Sequence, residues 1–313
     1  MTVFHPTSGT AFRPHLFFVS GQFDDLPRPI AFVFGGGGSY GSVQVGQLRA
    51  VQRAGIVPDF TVGTSVGSLH AAAVAENPEV AGDRLSAIWS GVTRETVFGT
   101  TAQAMRNTMT MQSHIANPKS VRKMITDALV ARDFNELQLP MIAVAADAVT
   151  GDIAQFSSGD LISALVASIA IPGVFPEVER DGGHYIDGGV LANVPIGVAA
   201  QNGANTIVVF DAAFALFAPR TTPTLGHTIL RAAAMFTGQQ VKVDLALHQD
   251  RTILYVPGNW PPAARPWEFG KTQENNVESY EIAKKWLSEL DVDGPGVYGS
   301  PPQTMGRAEP ETS

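Results

Sequence analysis

Three short motifs carry the residues able to do chemistry. Ser65 lies in Gly63-Thr64-Ser65-Val66-Gly67 and Asp187 opens Asp187-Gly188-Gly189; upstream of both is Gly36-Gly37-Gly38-Ser39-Tyr40-Gly41. A hydroxyl, a carboxylate to take its proton and a run of amides without side chains are the parts of nucleophilic acyl transfer. The hydroxyl attacks a carbonyl, the carboxylate acts as general base, and the amides hold the developing oxyanion. Each part alone has a plainer reading. A G-x-S-x-G match is weak in a chain with 31 glycines. Ser65 would serve equally as the N-cap of a helix. Asp-Gly is mainly a turn signal.

The elements around the motifs narrow the choice. Ile30-Ala31-Phe32-Val33-Phe34 and Asp59-Phe60-Thr61-Val62 read as strands, and Val66 to Glu76 as an Ala-rich helix stopped before Pro78. Strand, serine between small residues, helix is the setting of a nucleophile elbow, with Gly63 and Gly67 allowing the sharp turn. On this motif alone the elbow and the N-cap stand even. Residues 36 to 41 also spell G-x-G-x-x-G after a strand, the dinucleotide fingerprint. That site wants an acid at the carboxyl end of the second strand. Here that end is Val62-Gly63, and Asp59 stands at the start. The glycines therefore read as an anion cradle at a helix N-terminus, with the amides of Gly36, Gly37 and Gly38 as donors. The helix they open runs from Gly41 to Ala54, with Val45, Leu48 and Val51 on one side.

Further downstream stand Ala167-Ser168-Ile169-Ala170-Ile171-Pro172-Gly173-Val174-Phe175-Pro176 and Asp187-Gly188-Gly189-Val190-Leu191-Ala192-Asn193-Val194-Pro195. With the cradle and the elbow, these stretches make the chain resemble the patatin-like phospholipase family over residues 29 to 212. The resemblance implies a three-layer α/β/α, modified α/β-hydrolase-like fold with a mostly parallel central sheet. It implies Ser65 as nucleophile and Asp187 as base in a Ser-Asp dyad. It further implies an oxyanion hole from Gly36, Gly37, Gly38 and the amide of Val66. Gly41, Gly63, Gly67, Gly188 and Gly189 fall on structural motif positions, and Asn193 and Pro195 on positions that shape the Asp187 loop. The substrate class implied is a fatty-acyl ester of a lipid, as for a phospholipase A or lysophospholipase. Many members carry Arg or Lys where this chain has Tyr40, which weakens the case for a phospholipid over a neutral ester. The competing expectations are a general carboxylesterase or thioesterase on the same scaffold, and a lipid-binding or regulatory protein with weak turnover.

Neither His70, five residues after Ser65, nor His184, three before Asp187, has triad spacing; both are expected at surface or satisfied polar positions. The chain has no cysteine, which excludes thiol catalysis and thiolate metal sites, and no cofactor or metal is expected. A hydrophobic fraction of 44% supplies a sizeable core, and a net charge of −8 argues against a nucleic-acid surface or a general attraction to anionic membranes. No apolar run reaches transmembrane length and no signal peptide is seen, so the expected location is cytoplasmic, export by a signal-less route aside. The expected organisation is an arm over residues 1–28, with one extra strand near 15–19, a catalytic domain over 29–293 and a mobile tail over 294–313. Pro140 to Asp147, Thr206 to Asp211 and Arg251 to Val256 read as buried strands, residues 257 to 270 as a loop, and Asn276 to Leu290 as an amphipathic helix. The Met-rich segment 92–120 reads equally as a cap over the site or as a helical layer. Phe214 and Phe217 read equally as channel lining or as core.

Overall fold

Alternate residues of the first strand serve two separate cores. A computed structural model describes residues 21–100, 116–212, 225–259 and 268–302. In it, β1 (Ile30–Phe34) sends Ile30, Phe32 and Phe34 into one apolar cluster and Ala31 and Val33 into the other. A strand covered on both faces must be apolar throughout, which is why this segment shows no polar alternation. The same division holds in β7 (Thr206–Phe210), where Val208 and Phe210 face the first cluster and Ile207 and Val209 the second.

Among the described residues the sheet has nine strands, including β2 (Phe60–Thr64), β3 (Met141–Asp147), β4 (Ile153–Phe156), β5 (Val178–Arg180), β6 (Gly183–Asp187), β8 (Thr252–Tyr255) and β9 (Gly296–Gly299). Its order is β5-β6-β3-β2-β1-β7-β8-β9, with β4 also paired to β3. The run from β3 to β9 is parallel throughout. β4 and β6 add antiparallel to β3, and β5 and β6 form a hairpin. One face packs against α1 (Gly41–Arg53), α2 (Val66–Glu76), α3 (Ala81–Gly91), α5 (Pro118–Ala128), α6 (Leu161–Ser168) and α10 (Thr272–Glu289). The other packs against α7 (Gly189–Ala192), α8 (Ile196–Gln201) and α9 (Leu225–Leu247). The short α4 (Arg94–Phe98) lies beside α5. The architecture is the expected three-layer α/β/α fold on a mostly parallel sheet.

The boundary at 293 needs correction. Residues Gly296–Gly299, expected in a mobile tail, form the edge strand β9, in parallel register with Thr252–Tyr255. The described ends of the Met-rich segment are helical, as α4 and α5. Its centre at 101–115, the expected strand near 15–19 and Phe214 with Phe217 lie outside the described residues.

Candidate active site

β2 ends at Thr64, and the chain reverses at once into α2. Ser65, at the junction, holds φ 55° and ψ −131°, a conformation a residue with a Cβ adopts only under strain. The turn is tight enough that a Cβ on Gly63 would collide with the Gly67 backbone, and one on Gly67 with the carbonyls of Phe34 and Gly35. Both motif glycines are thus required by close approach. The Ser65 side chain makes no capping bond, so the N-cap reading falls away. Its Oγ instead donates to Asp187 Oδ2 at 2.6 Å.

Strand pairing explains how two residues 122 positions apart meet. β4 occupies one edge of β3 from Ala143 to Ala146. β2 pairs with the opposite edge as far as Val144, and β6 takes over that edge from Ala145, which is opposite Asp187. The end of β2 and the end of β6 therefore converge, and each delivers one side chain of the Ser65–Asp187 pair. Gly188 passes so close to the Val144 carbonyl that a Cβ would collide with it, and Thr64 Oγ1 bonds the Ala192 carbonyl at 2.8 Å. Ser168, at the end of α6, locks the other side. Its Oγ donates to the Val144 carbonyl at 2.6 Å and accepts from the Ser65 N–H at 3.0 Å.

Asp187 is 5% exposed. Burial pushes its carboxyl up to about 6, against the opposing pull of hydrogen bonds from Ser65 and from the Gly189 N–H, the latter 2.7 Å from Oδ1. A carboxylate so placed is ionised near neutral pH yet basic enough to share a proton with a hydroxyl.

The glycine loop lies against this pair, and a Cβ on Gly36 would come within 3.0 Å of the Ser65 Cβ. The expectation that the Gly36 amide serves as an oxyanion donor is corrected here, because that N–H is spent on the Asn193 carbonyl at 2.9 Å. Asn193 Nδ2 in turn donates to the Gly36 carbonyl at 3.1 Å. The Gly36 carbonyl and the Gly37 N–H belong to one trans peptide and point opposite ways, so the Gly37 amide faces away from the Asn193 side-chain amide. Among the described residues, the amides of Gly37 and Gly38 meet no acceptor. The Val66 amide, in the first turn of α2, has none within its helix. Gly38 and Val66 line the same cavity as Ser65. Gly41, at the start of α1, packs so closely on Trp89, His70 and Val66 that no side chain fits there.

Both histidines occupy polar positions of the expected kind. His184 is half-exposed, 3.9 Å from Glu177. His70 is buried with both ring nitrogens engaged: Nδ1 faces Gln44 Oε1 at 2.7 Å, and Nε2 accepts from Trp89 Nε1 at 2.9 Å. Since Nε2 accepts and Gln44 Oε1 cannot donate, the ring is the neutral Nδ1–H tautomer. Burial lowers its pKa to about 3, so it is no base for Ser65. Gln44 Nε2 completes the chain, bonding the carbonyls of Gly35 at 2.7 Å and Phe210 at 2.9 Å. Asp59, the acid at the wrong end for a ribose, pairs with Arg28 and accepts the Ile30 N–H at 2.7 Å.

Sequence reasoning gave no role to Ser168, Gln44 or Trp89. Gln44 did leave a signal, since it falls in the Leu48–Val51 stripe of α1, where a polar residue must find buried partners.

From Ser65 an apolar cavity extends between α2, α3, α4 and α5. Among the described residues, its lining side chains are apolar apart from Ser65, His70 and the indole N–H of Trp89.

The patatin-like phospholipase family model matches residues 32–200. The chain belongs to the patatin-like phospholipase family. Its curated relatives include patatin-like phospholipase domain-containing protein 7 of Mus musculus, 29% identical over 184 residues, covering 58% of this chain and 13% of that protein. Protein 6 of the same series, from Homo sapiens, is 28% identical with the same coverage. An NTE family protein of Mycobacterium bovis is 28% identical over 204 residues, 63% of this chain and 34% of its own length. The matched region is thus a minor part of each relative. Among solved structures, VipD from Legionella pneumophila aligns with 84% of this chain and 67% of its own, at 13% identity and a TM-score of 0.42. The patatin-like match spans the glycine loop, the elbow, the Ser168 stretch and the Asp187 loop. Among the described residues of this patatin-like chain, no helix is long and apolar enough to cross a membrane.

Proposed function

We propose that this patatin-like protein hydrolyses fatty-acyl esters of lipids through a Ser65–Asp187 dyad and an acyl-enzyme intermediate. The observation that carries the reading is the 2.6 Å bond between Ser65 Oγ and a buried carboxylate, at the mouth of an apolar cavity. Asp187 takes the hydroxyl proton as Oγ attacks the ester carbonyl. The amides of Gly37, Gly38 and Val66 receive the oxyanion, with Asn193 holding the loop that presents them. The proton then passes from Asp187 to the leaving alkoxide. In the second half Asp187 takes a proton from a water whose oxygen attacks the acyl carbonyl, and returns it to Ser65 Oγ as the acyl C–Oγ bond breaks and the fatty acid leaves. The protein's net charge of −8 and the buried Tyr40 at the position where many relatives are basic favour neutral or zwitterionic lipid esters over anionic ones.

The test is a fluorophosphonate label read by intact mass, beside a panel of acyl esters. Wild type should gain one adduct on Ser65, and Ser65→Ala should gain none and lose turnover. Asp187→Asn should lower kcat/KM by about two to four powers of ten. Near wild-type turnover in Ser65→Ala would remove the assignment.

A further inference from the structure

Three walls of the cavity beside Ser65, those from α2, α3 and α5, lead to a charged clasp. Along α2 the lining residues Leu69 and Ala73 are followed by Glu76; on α3, Leu85 is preceded by Arg84; on α5, Ala128 and Leu129 lead into Val130 and Ala131. These flanking groups bind one another. Arg84 pairs with Glu76 and donates to the Ala128 carbonyl. Glu76 Oε1 accepts the N–H groups of Val130 and Ala131, each at 2.7 Å. Among the described lining residues a methylene chain running from Ser65 along α2 meets apolar groups and His70, and beyond Ala73 and Ala128 it would have to strip this satisfied ion pair of its partners. The polar rings among its described lining are already engaged: His70 spends its nitrogens on Gln44 and Trp89, and Trp89 its N–H on His70.

We propose that the slot is a ruler for the scissile acyl chain, with Ala73 and Ala128 at its floor setting the longest saturated chain accepted. The inference rests on acyl transfer at Ser65. The length follows from α2, which runs from the nucleophile to the floor. Eight residues from Ser65 to Ala73 rise about 12 Å at about 1.5 Å each. An extended alkyl chain advances about 1.3 Å per carbon, the projection of a C–C bond of about 1.5 Å. The slot therefore takes about nine or ten carbons by the same arithmetic. Up to that length each added methylene should improve kcat/KM by about fourfold; beyond it the gain should stop or reverse.

The experiment measures kcat/KM for nitrophenyl esters of four to sixteen carbons. Wild type should climb to a maximum near ten carbons. Ala128→Leu, at a half-buried position facing the slot, should cost the ten-carbon ester about tenfold more than the four-carbon one. Leu85→Ala should move the maximum to longer chains. These opposite displacements separate a ruler from general damage, which lowers all esters together. A flat wild-type profile overturns the proposal without any variant, as does an unchanged ratio of ten-carbon to four-carbon rates in both variants once folding is confirmed. Displacement of a fluorescent fatty acid from Ser65→Ala by free acids of the same lengths reads the slot without turnover. A cut-off near ten carbons there, with no fluorophosphonate adduct on wild type, would sink the acyl-transfer reading and leave the slot standing. Adduct formation with no cut-off would do the reverse.

Discussion

In the proposed mechanism Asp187 links catalysis and stability with opposite signs. Burial raises its carboxyl from the ordinary 3.8 to about 6. Between those values the folded protein holds a proton that the unfolded chain has released, so stability falls as pH rises through the window. A shift of about two units corresponds to about 3 kcal/mol, all of it present as a cost at neutral pH and absent below the unfolded value. In its proposed role as general base, however, Asp187 must be ionised to work. The kcat/KM profile should therefore climb about tenfold per unit below pH 6 and level above it, while the melting temperature moves the other way. Asp187→Asn, nearly isosteric and unable to ionise, should melt higher than wild type at pH 7.5 and converge with it near pH 4. Thermal melts at the two values decide the matter. An offset of the same size at both would mean that the carboxylate is not the source of the cost.

At the scale of elements, the site depends on backbone segments that touch. A Cβ on Gly67 would enter the carbonyls of Phe34 and Gly35, so Gly67→Ala must push α2 off β1. We expect a loss of more than about 3 kcal/mol in urea melts, or no soluble protein at all. Gly91, at the end of α3, has no atom within reach of an added Cβ; Gly91→Ala should be neutral or stabilising by up to about 1 kcal/mol. Equal effects at the two positions would show that propensity, not contact, governs the elbow. The same distinction explains what could be read from the sequence. Ile30–Phe34 and Val66–Glu76 were legible because burial on both faces and an Ala-rich run before Pro78 are local signals. The meeting of Ser65 and Asp187 was legible only through motif order, because the cause is the shared edge of β3, a non-local pairing. Gly36 was misread as a donor because its partner, the Asn193 carbonyl, lies 157 residues away. Ser168 lacked a role for the same reason, with Ser65 and Val144 brought to it only by the folded sheet.

At the scale of the molecule, the sheet is finished by residues whose composition reads as a tail. Gly296-Val297-Tyr298-Gly299 lacks the apolar density of an inner strand, and its register is imposed by β8. Tyr298 Oη fastens the turn into it, bonding Asp293 Oδ1 at 2.7 Å and the Gly294 carbonyl at 3.0 Å. Gly299 then passes so close to the Tyr255 carbonyl that no side chain fits. β8 is buried at every position, and without β9 its edge amides and carbonyls would face water or another chain. The damage would reach toward the site as well. The Val256 carbonyl, one residue past β8, holds Gln47 Nε2 at 2.8 Å, and Gln47 shares α1 with Gln44, which grips the glycine loop. A chain ending at Gly294 should therefore melt about 5 to 10 °C below one ending at Pro302, as a loss of a few kcal/mol gives in a domain of this size. It should also aggregate more readily on warming. Scanning calorimetry of the two chains, with light scattering, makes the comparison. Coincident melts would return residues 295–302 to the role of a tail.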